Sequence, residues 1–353
     1  ITDIAMTIHD LDTPALTINL DILERNIRET QEACDKFDIP LRVHTKTHKI
    51  PEIARMQLAA GAIGIVCQKV GEAEAMVEAG IPDILIPYNI VGPIKVKRLA
   101  ELCKRATMTV AVDSEITARG LSDGATENNA TINILIECDT GGNRCGVQSP
   151  KAALELAQKV TTMPGLQFQG IMTYPSNERA KAFIDQTRDL LQSAGIAVNT
   201  ISGGGTGTAE VSKAIGCTET RIGSYVFEGL RRINREHNPP NPITCAERMI
   251  VTIVSTPTPD RVIIDGGQKT FTSYAPTPYG HIVEHPNAKI YGMSVEHGHV
   301  DISECNHTFT VGDRISVIPL HQGMTTNLHD EVYAVRNGNV EHVWKVAGRG
   351  KVQ

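Results

Sequence analysis

The stretch LRVHTKTHKIPEIARMQLAAGAIGIVCQ, Leu41 to Gln68, holds one complete β-turn-α-β passage. Leu41–Lys46 reads as a strand, Pro51–Ala60 as a helix and Gly64–Gln68 as a second strand. Outward from it the same alternation fills the first 230 residues or so. The other strand-like runs are Leu16–Asp21, Ile84–Pro87, Met108–Asp113, Ile132–Asp139, Phe168–Tyr174, Thr200–Gly203 and Thr218–Ile222. Helical patterns lie between them, as in Ile22–Lys36, Gly71–Ala79 and Ala152–Val160. Strands that are apolar throughout are buried on both faces, which is the habit of parallel sheets. Repeated βα units give either a (β/α)8 barrel or a doubly wound sheet. Polar residues and glycines gather just after the strands: His44 and Lys46, Gln68, Tyr88 and Asn89, Asp113, Asp139 to Arg144, Tyr174, Gly203 to Gly207. Barrel enzymes build their sites at that end.

The expected fold class is therefore α/β: a (β/α)8 TIM-type barrel plus a C-terminal all-β domain. After about residue 240 Pro239, Pro240 and Pro242 break the helical pattern, and short β-type runs follow. These are Met249–Ser255, Arg261–Ile264, Lys289–Met293, Arg314–Pro319, Glu331–Val335 and Val340–Val346. We assign 14–235 to the barrel, and 1–13 with 236–353 to the β domain. Nine candidate strands precede residue 230, one more than a barrel needs.

A length of 353 residues favours two domains, and 41% hydrophobic residues can bury a large core. Net charge is −6 with no long Lys/Arg run, which argues against nucleic acid; Arg231, Arg232 and Arg235 read as a solvated turn. No apolar run approaches the roughly 20 residues that span a bilayer. Ile1–Asp10 has neither the basic nor the apolar region of a signal peptide. Eight cysteines with no CxxC pair read as reduced thiols, so a cytoplasmic protein is expected.

Five constellations carry chemistry. Arg42-Val-His-Thr-Lys46-Thr-His-Lys49 runs off a strand end, where partial desolvation makes a lysine amine neutral and nucleophilic. Strand alternation would put Arg42, His44 and Lys46 on one face; a solvated basic edge is the other reading. Ser202-Gly-Gly-Gly-Thr-Gly-Thr208 lies between a strand and a helix and suits an oxyanion. It is neither a P-loop nor a dinucleotide fingerprint. Glu137-Cys-Asp-Thr-Gly-Gly-Asn-Arg144-Cys-Gly146 aims an arginine back across a strand end, and Glu219-Thr-Arg221-Ile-Gly223-Ser224-Tyr225 ends in a second glycine-serine turn. Glu296-His-Gly-His299 and His321-Gln-Gly-Met-Thr-Thr-Asn-Leu-His-Asp330 group histidines that suggest a metal or a base.

The ordered set RxHxKxHK, DTGGNRCGV, SGGGTGT, RIGSY, EHG and HxxxxTNLHD resembles the D-threonine aldolase and D-serine dehydratase branch of the fold-type III, alanine-racemase-like enzymes. The likeness runs from about Thr13 to Gly350. It implies pyridoxal 5'-phosphate (PLP) held covalently by Lys46. It implies phosphate contacts from Gly204, Gly205, Thr206, Ser224 and Tyr225, and cofactor contacts from Gln68, Arg144, Tyr174 and Gly223. Arg221 falls at the position facing the pyridine nitrogen. The first strand, by the same likeness, pairs with the β domain. A homodimer with the partner's β domain over each barrel mouth is implied as well.

Two departures from that pattern stand out. The branch binds a divalent cation (Mg2+, Mn2+ or Zn2+) through a histidine and an Asp or Cys two residues on. Here the strand-like run Ile315–Pro319 reads as continuing into His321, which puts residues 321 and 323 on one face; position 323 is Gly323, so a weak or empty metal site is expected. The histidine-bearing loop after the Tyr174 strand is also short, Pro175-Ser-Asn-Glu178. The expected activity is a PLP-dependent lyase that cleaves a D-β-hydroxy amino acid to glycine and an aldehyde. His44, His297 and His321 are the candidate bases beside Lys46. Dehydration of a D-serine or 3-hydroxyaspartate type of substrate, racemisation and a PLP carrier without turnover are the alternatives.

Overall fold

The computed structural model describes residues 6–205, 209–230, 244–272 and 278–353. It divides into two compact units. One comprises the described residues of Ile1–Arg28, Thr47–Ile50 and Ser224–Arg349; the other, those of Glu29–Lys46, Pro51–Gly223 and Gly350–Gln353.

The chain begins with β1 (Ala15–Asn19) and α1 (Leu20–Lys36). Eight parallel strands then close into a barrel: β2 (Leu41–His44), β3 (Gly64–Val66), β4 (Asp83–Ile86), β5 (Thr107–Val112), β6 (Ile132–Asp139), β7 (Leu166–Tyr174), β8 (Thr200–Gly204) and β9 (Glu219–Ile222). Between them run α2 (Pro51–Ala59), α3 (Val70–Glu78), α4 (Pro93–Cys103), α5 (Glu115–Glu127), α6 (Pro150–Val160), α7 (Ala180–Ser193) and α8 (Ala209–Ala214). Local chemistry starts these helices. Ser114 and Ser149 accept the N–H of Thr117 and Ala152 as N-caps, and Pro150 supplies a preset φ at the first turn of α6. Val66, Leu85, Ala111, Leu135 and Met172, one from each of β3 to β7, pack into a buried apolar ring. Burying a side chain such as Leu or Met there stabilises by about 1.5–3 kcal/mol.

The strand in excess is β1, which lies outside the barrel. It runs antiparallel to β10 (Glu247–Thr258), a strand of its own unit, with Ala15 opposite Ile250. The remaining strands of that unit are β11 (Arg261–Ile264), β12 (Gly280–Ile282), β13 (Lys289–Met293), β14 (Gly298–Asp301), β15 (Arg314–Pro319), β16 (Glu331–Arg336) and β17 (Asn339–Lys345). The nine form one sheet with the path β13-β14-β11-β10-β1-β16-β17, and β15 pairs with β10 and β12. The segment after β15 is not extended, contrary to the reading that put residues 321 and 323 on one strand face. His321 is the N-cap of a short helix, α9 (Gln322–Thr326), so Gly323 lies in its first turn.

Glu247, on β10, is buried, and its Oε2 lies 2.6 Å from Thr326 Oγ1. That hydroxyl also donates to Gln322 O at 2.9 Å, and it has only one proton. A protonated Glu247 that donates to Thr326 Oγ1 satisfies both contacts. The other carboxyl oxygen has no hydrogen-bond partner among the described residues. Burial raises this carboxyl to about 8.

Candidate active site

Lys46 leaves the barrel wall at the carboxyl end of β2. The strand stops at His44, and Thr45–Thr47 form a 3-10 turn, so Lys46 does not continue the face shared by Arg42 and His44. Thr45 Oγ1 donates to Val66 O at 2.9 Å and pins the turn to β3. Burial, then the charges of Arg144 and Arg221, hold the Lys46 ammonium below the ordinary lysine value; Glu72 opposes them. Lys46 keeps solvent access at the mouth, so the two guanidinium charges support that direction as much as burial does.

His44 Nδ1 accepts the Lys46 N–H at 3.4 Å, and its Nε2 lies 3.1 Å from Gln68 Oε1. A ring that accepts at Nδ1 carries its proton on Nε2 when neutral, so His44 donates to Gln68. Burial first, then Lys46 and Arg221, keep its pKa well below the histidine norm, so it stays neutral. Gln68 is oriented in turn, its N–H donating to Glu72 Oε2 at 2.7 Å.

The DTGGNR turn is built by one carboxylate. Asp139 Oδ1 accepts the N–H groups of Gly141, Gly142 and Asn143 at 3.0, 2.8 and 3.2 Å. The φ of +117° at Gly146 and its close approach to the Asp139 backbone require glycine there. This turn lays the Arg144 guanidinium over the Tyr174 ring, 4.9 Å from its centroid, and 3.6 Å from Glu137 Oε1. Glu137 is buried, and burial raises its pKa above the carboxylate norm.

Gly204 N–H donates to Ser176 Oγ at 2.6 Å, and Gly205 N–H donates to Arg221 O at 2.9 Å. Both donors are thus turned to protein. A Cβ on Gly204 would collide with the Arg221 backbone, so glycine permits the close pairing of β8 with β9. Thr206, with Gly207 and Thr208, lies outside the described residues.

Beneath the mouth is a set of polar residues that sequence reasoning did not assemble. Arg221 is buried; its Nη1 donates to Ser202 Oγ at 2.6 Å and its Nη2 to Thr173 O at 2.9 Å. Ser202 Oγ donates to Glu219 Oε1 at 2.6 Å. Glu219 Oε2 accepts Arg42 Nε–H at 3.0 Å, and Arg42 Nη1 reaches Asp83 Oδ1 at 2.7 Å. Arg42 is therefore tied to the inner wall rather than offered to the mouth. A Cβ on Gly64 would strike its guanidinium, which is held on both sides and cannot give way. Gly64→Ala is expected to cost about 1–3 kcal/mol, read as a lower Tm in a calorimetric melt.

Lys46, His44, Gln68, Arg144, Tyr174, Gly204, Gly205, Arg221 and Gly223 all belong to the barrel unit. Ser224 and Tyr225 follow Gly223 in a 3-10 turn of the other unit, which also carries His297 and His321. His297 is exposed at the turn before β14, and Ser294 N–H donates to its carbonyl at 2.9 Å. His321 Nδ1 accepts the Met324 N–H at 3.3 Å. Lys49 belongs to that unit as well, its Nζ on Asn327 Oδ1 at 2.8 Å. Among the described residues no group of three or more His, Cys, Asp or Glu could hold a metal ion, and no helix is long and apolar enough to cross a membrane.

Comparison with known proteins gives a consistent picture. The family model for the alanine racemase N-terminal domain matches residues 18–230, and that for a putative serine dehydratase domain matches 246–335. A D-threonine aldolase of Arthrobacter sp is 38% identical, over 96% of this chain and 93% of its own. A 3-hydroxy-D-aspartate aldolase of Paracoccus denitrificans is 33% identical, over 97% and 93%. The crystal structure of a D-threonine aldolase from Filomicrobium marinum superposes with a TM-score of 0.91 at 32% identity, covering 99% of both chains.

Proposed function

The chain belongs to the alanine racemase N-terminal domain family, and from that premise we propose that it is a PLP-dependent lyase cleaving a D-β-hydroxy amino acid to glycine and an aldehyde. One observation carries the reading: Lys46 stands at the barrel mouth with its amine held below the ordinary lysine range. The residues present fit the cofactor. Lys46 supplies the amine for covalent attachment, Arg144 and Tyr174 stack at the rim, and Arg221 presents a buried guanidinium. Gln68, Thr206, Gly223, Ser224 and Tyr225 belong to the same proposal through the resemblance, whereas the N–H groups of Gly204 and Gly205 are bonded within the barrel unit and are not free for a phosphate. Bound PLP supplies the sink for the electron pair released when Cα–Cβ breaks.

The protein's own groups then have three tasks. Lys46 offers the amine that would join a carbonyl. Arg221, a donor without a lone pair, would face the ring nitrogen of bound PLP and keep a proton off it. A base must take the proton of the β-hydroxyl. Both ring nitrogens of His44 are engaged, which makes it an orienting group for Lys46 and Gln68. The Nδ1 of His321 accepts a helix N–H, which leaves the proton on Nε2 of the neutral ring. His297 makes no side-chain hydrogen bond among the described residues, and on ring chemistry alone it keeps its place among the candidate bases.

The residues do not fit the metal site of the branch. Gly323 has no donor, and a cation on His321 Nε2 would need the tautomer that opens the Met324 cap. Activity is therefore expected to survive EDTA, with no stoichiometric metal by elemental analysis. Gly323→Asp, where a Cβ has ordinary contacts with Thr47, is expected to create metal dependence.

Incubation with D- and L-β-hydroxy amino acids, assayed for glycine, 2-oxo acid and inverted amino acid, tests the reaction. Release of 2-oxo acid without glycine would replace cleavage by dehydration. A cytoplasmic homodimer is part of the same reading, supported by eight unpaired thiols and by the resemblance. Full activity of a monomer at nanomolar concentration would remove the dimer.

A further inference from the structure

We propose that Ser202 and Glu219 are positioning residues that fix the direction of the Arg221 guanidinium, with Arg42 as the countercharge. This rests on the reading that Arg221 faces the bound cofactor. The logic follows from proton counting along the chain of bonds. Arg221 can only donate, so Ser202 Oγ must offer it a lone pair across the 2.6 Å contact. The single hydroxyl proton of Ser202 is then sent to Glu219 Oε1, also at 2.6 Å. An ionised carboxylate accepts on both oxygens, and the second is taken by Arg42 Nε at 3.0 Å. Every proton in the relay has one direction, so the arrangement has no alternative that keeps all bonds.

Burial makes that direction binding. Ser202 has no exposed surface, Glu219 is 4% exposed and Arg221 6%. Water cannot replace a lost partner there, and a hydrogen bond to a charged group is among the stronger ones. The second anchor, Thr173 O at 2.9 Å, fixes the guanidinium plane. Two of its five N–H donors are thereby spent on the wall, and the plane leaves the rest no freedom to swing. Arg42 pairs with Glu219 at 3.0 Å, and its other end is held by Asp83 at 2.7 Å.

A purely structural polar cluster would hold the barrel without acting on the ring nitrogen. The two roles separate in the holoenzyme. Ser202→Ala removes one oxygen, Glu219→Gln removes the charge at constant shape, and Ser202→Thr keeps the hydroxyl. For each, the visible band of bound PLP is titrated between pH 6 and 10, PLP affinity is measured by back-titration of the resolved protein, and kcat and KM are determined apart. Ser202→Ala and Glu219→Gln are expected to move the band's pH midpoint in the direction given by Arg221→Gln. They should also weaken PLP about tenfold and lower kcat more than they raise KM. Ser202→Thr should restore the midpoint. A wild-type midpoint and affinity in both Ser202→Ala and Glu219→Gln, with Arg221→Gln shifted, would overturn the relay and leave the site intact. An unshifted Arg221→Gln would overturn the placement of Arg221 itself, and the relay with it. Should Glu219→Gln fail to fold, the Ser202 pair decides.

Discussion

Lys46→Ala is expected to yield a folded, colourless protein with turnover lowered about 10²–10⁴-fold or more. Colour and activity should vanish together, because on the proposed reading the amine that holds the cofactor is the one turnover depends on. No neighbouring lysine can take its place. Lys49 Nζ is on Asn327 Oδ1, and Lys69 Nζ sits 3.9 Å over the Tyr88 ring. Borohydride treatment of the wild type followed by peptide mapping should place the label on Lys46. A label on Lys49 or Lys69 would end the assignment.

Glu247→Gln is expected to flatten the pH dependence of stability between about pH 4.5 and 8. The folded carboxyl lies at about 8, against an ordinary 4.5. The folded state therefore binds a proton that the unfolded chain releases between those values, and stability falls as pH rises through the window. At about 1.36 kcal/mol per unit the loss is on the order of several kcal/mol for the wild type. Glutamine keeps a donor for Thr326 Oγ1 and cannot ionise. Denaturant titrations at pH 5, 7 and 9 measure the effect. Parallel curves for the two proteins would show that Glu247 is already ionised at neutral pH.

The barrel was legible because its signal is local. Leu41–Gln68 carries strand, turn, helix and strand within one window, and the glycine-rich turns punctuate the rest. The place of β1 was not readable from local pattern, since its partners around Ile250 and Tyr333 lie far along the chain. Family resemblance, not periodicity, pointed to that pairing. The two missed strands, β12 and β14, are three and four residues long and each begins with glycine. A window that short carries little alternation to detect.

The same contrast holds for the site. Lys46, Arg144 and Tyr174 each end a strand or follow a glycine turn, so position alone picked them out. The Arg42, Ser202 and Glu219 relay joins residues up to 177 apart in sequence. Its one local trace was a charged residue at the start of an apolar strand, as at Asp83 and Glu219. The helix after His321 was missed because histidine is an uncommon N-cap, and the preceding apolar run made an extended reading natural.

The apolar ring of β3 to β7 makes the barrel a vessel with a single doorway. Val66, Leu85, Ala111, Leu135 and Met172 stopper it, and the bonds of Arg42 brace the wall. Whatever reacts at Lys46 enters and departs by the carboxyl end. The aldehyde and the amino-acid product of the proposed cleavage share that one end as their exit. Product-inhibition patterns would show whether the two depart in a fixed sequence: one product would then compete with substrate for the empty barrel, while the other acts on the half-emptied one.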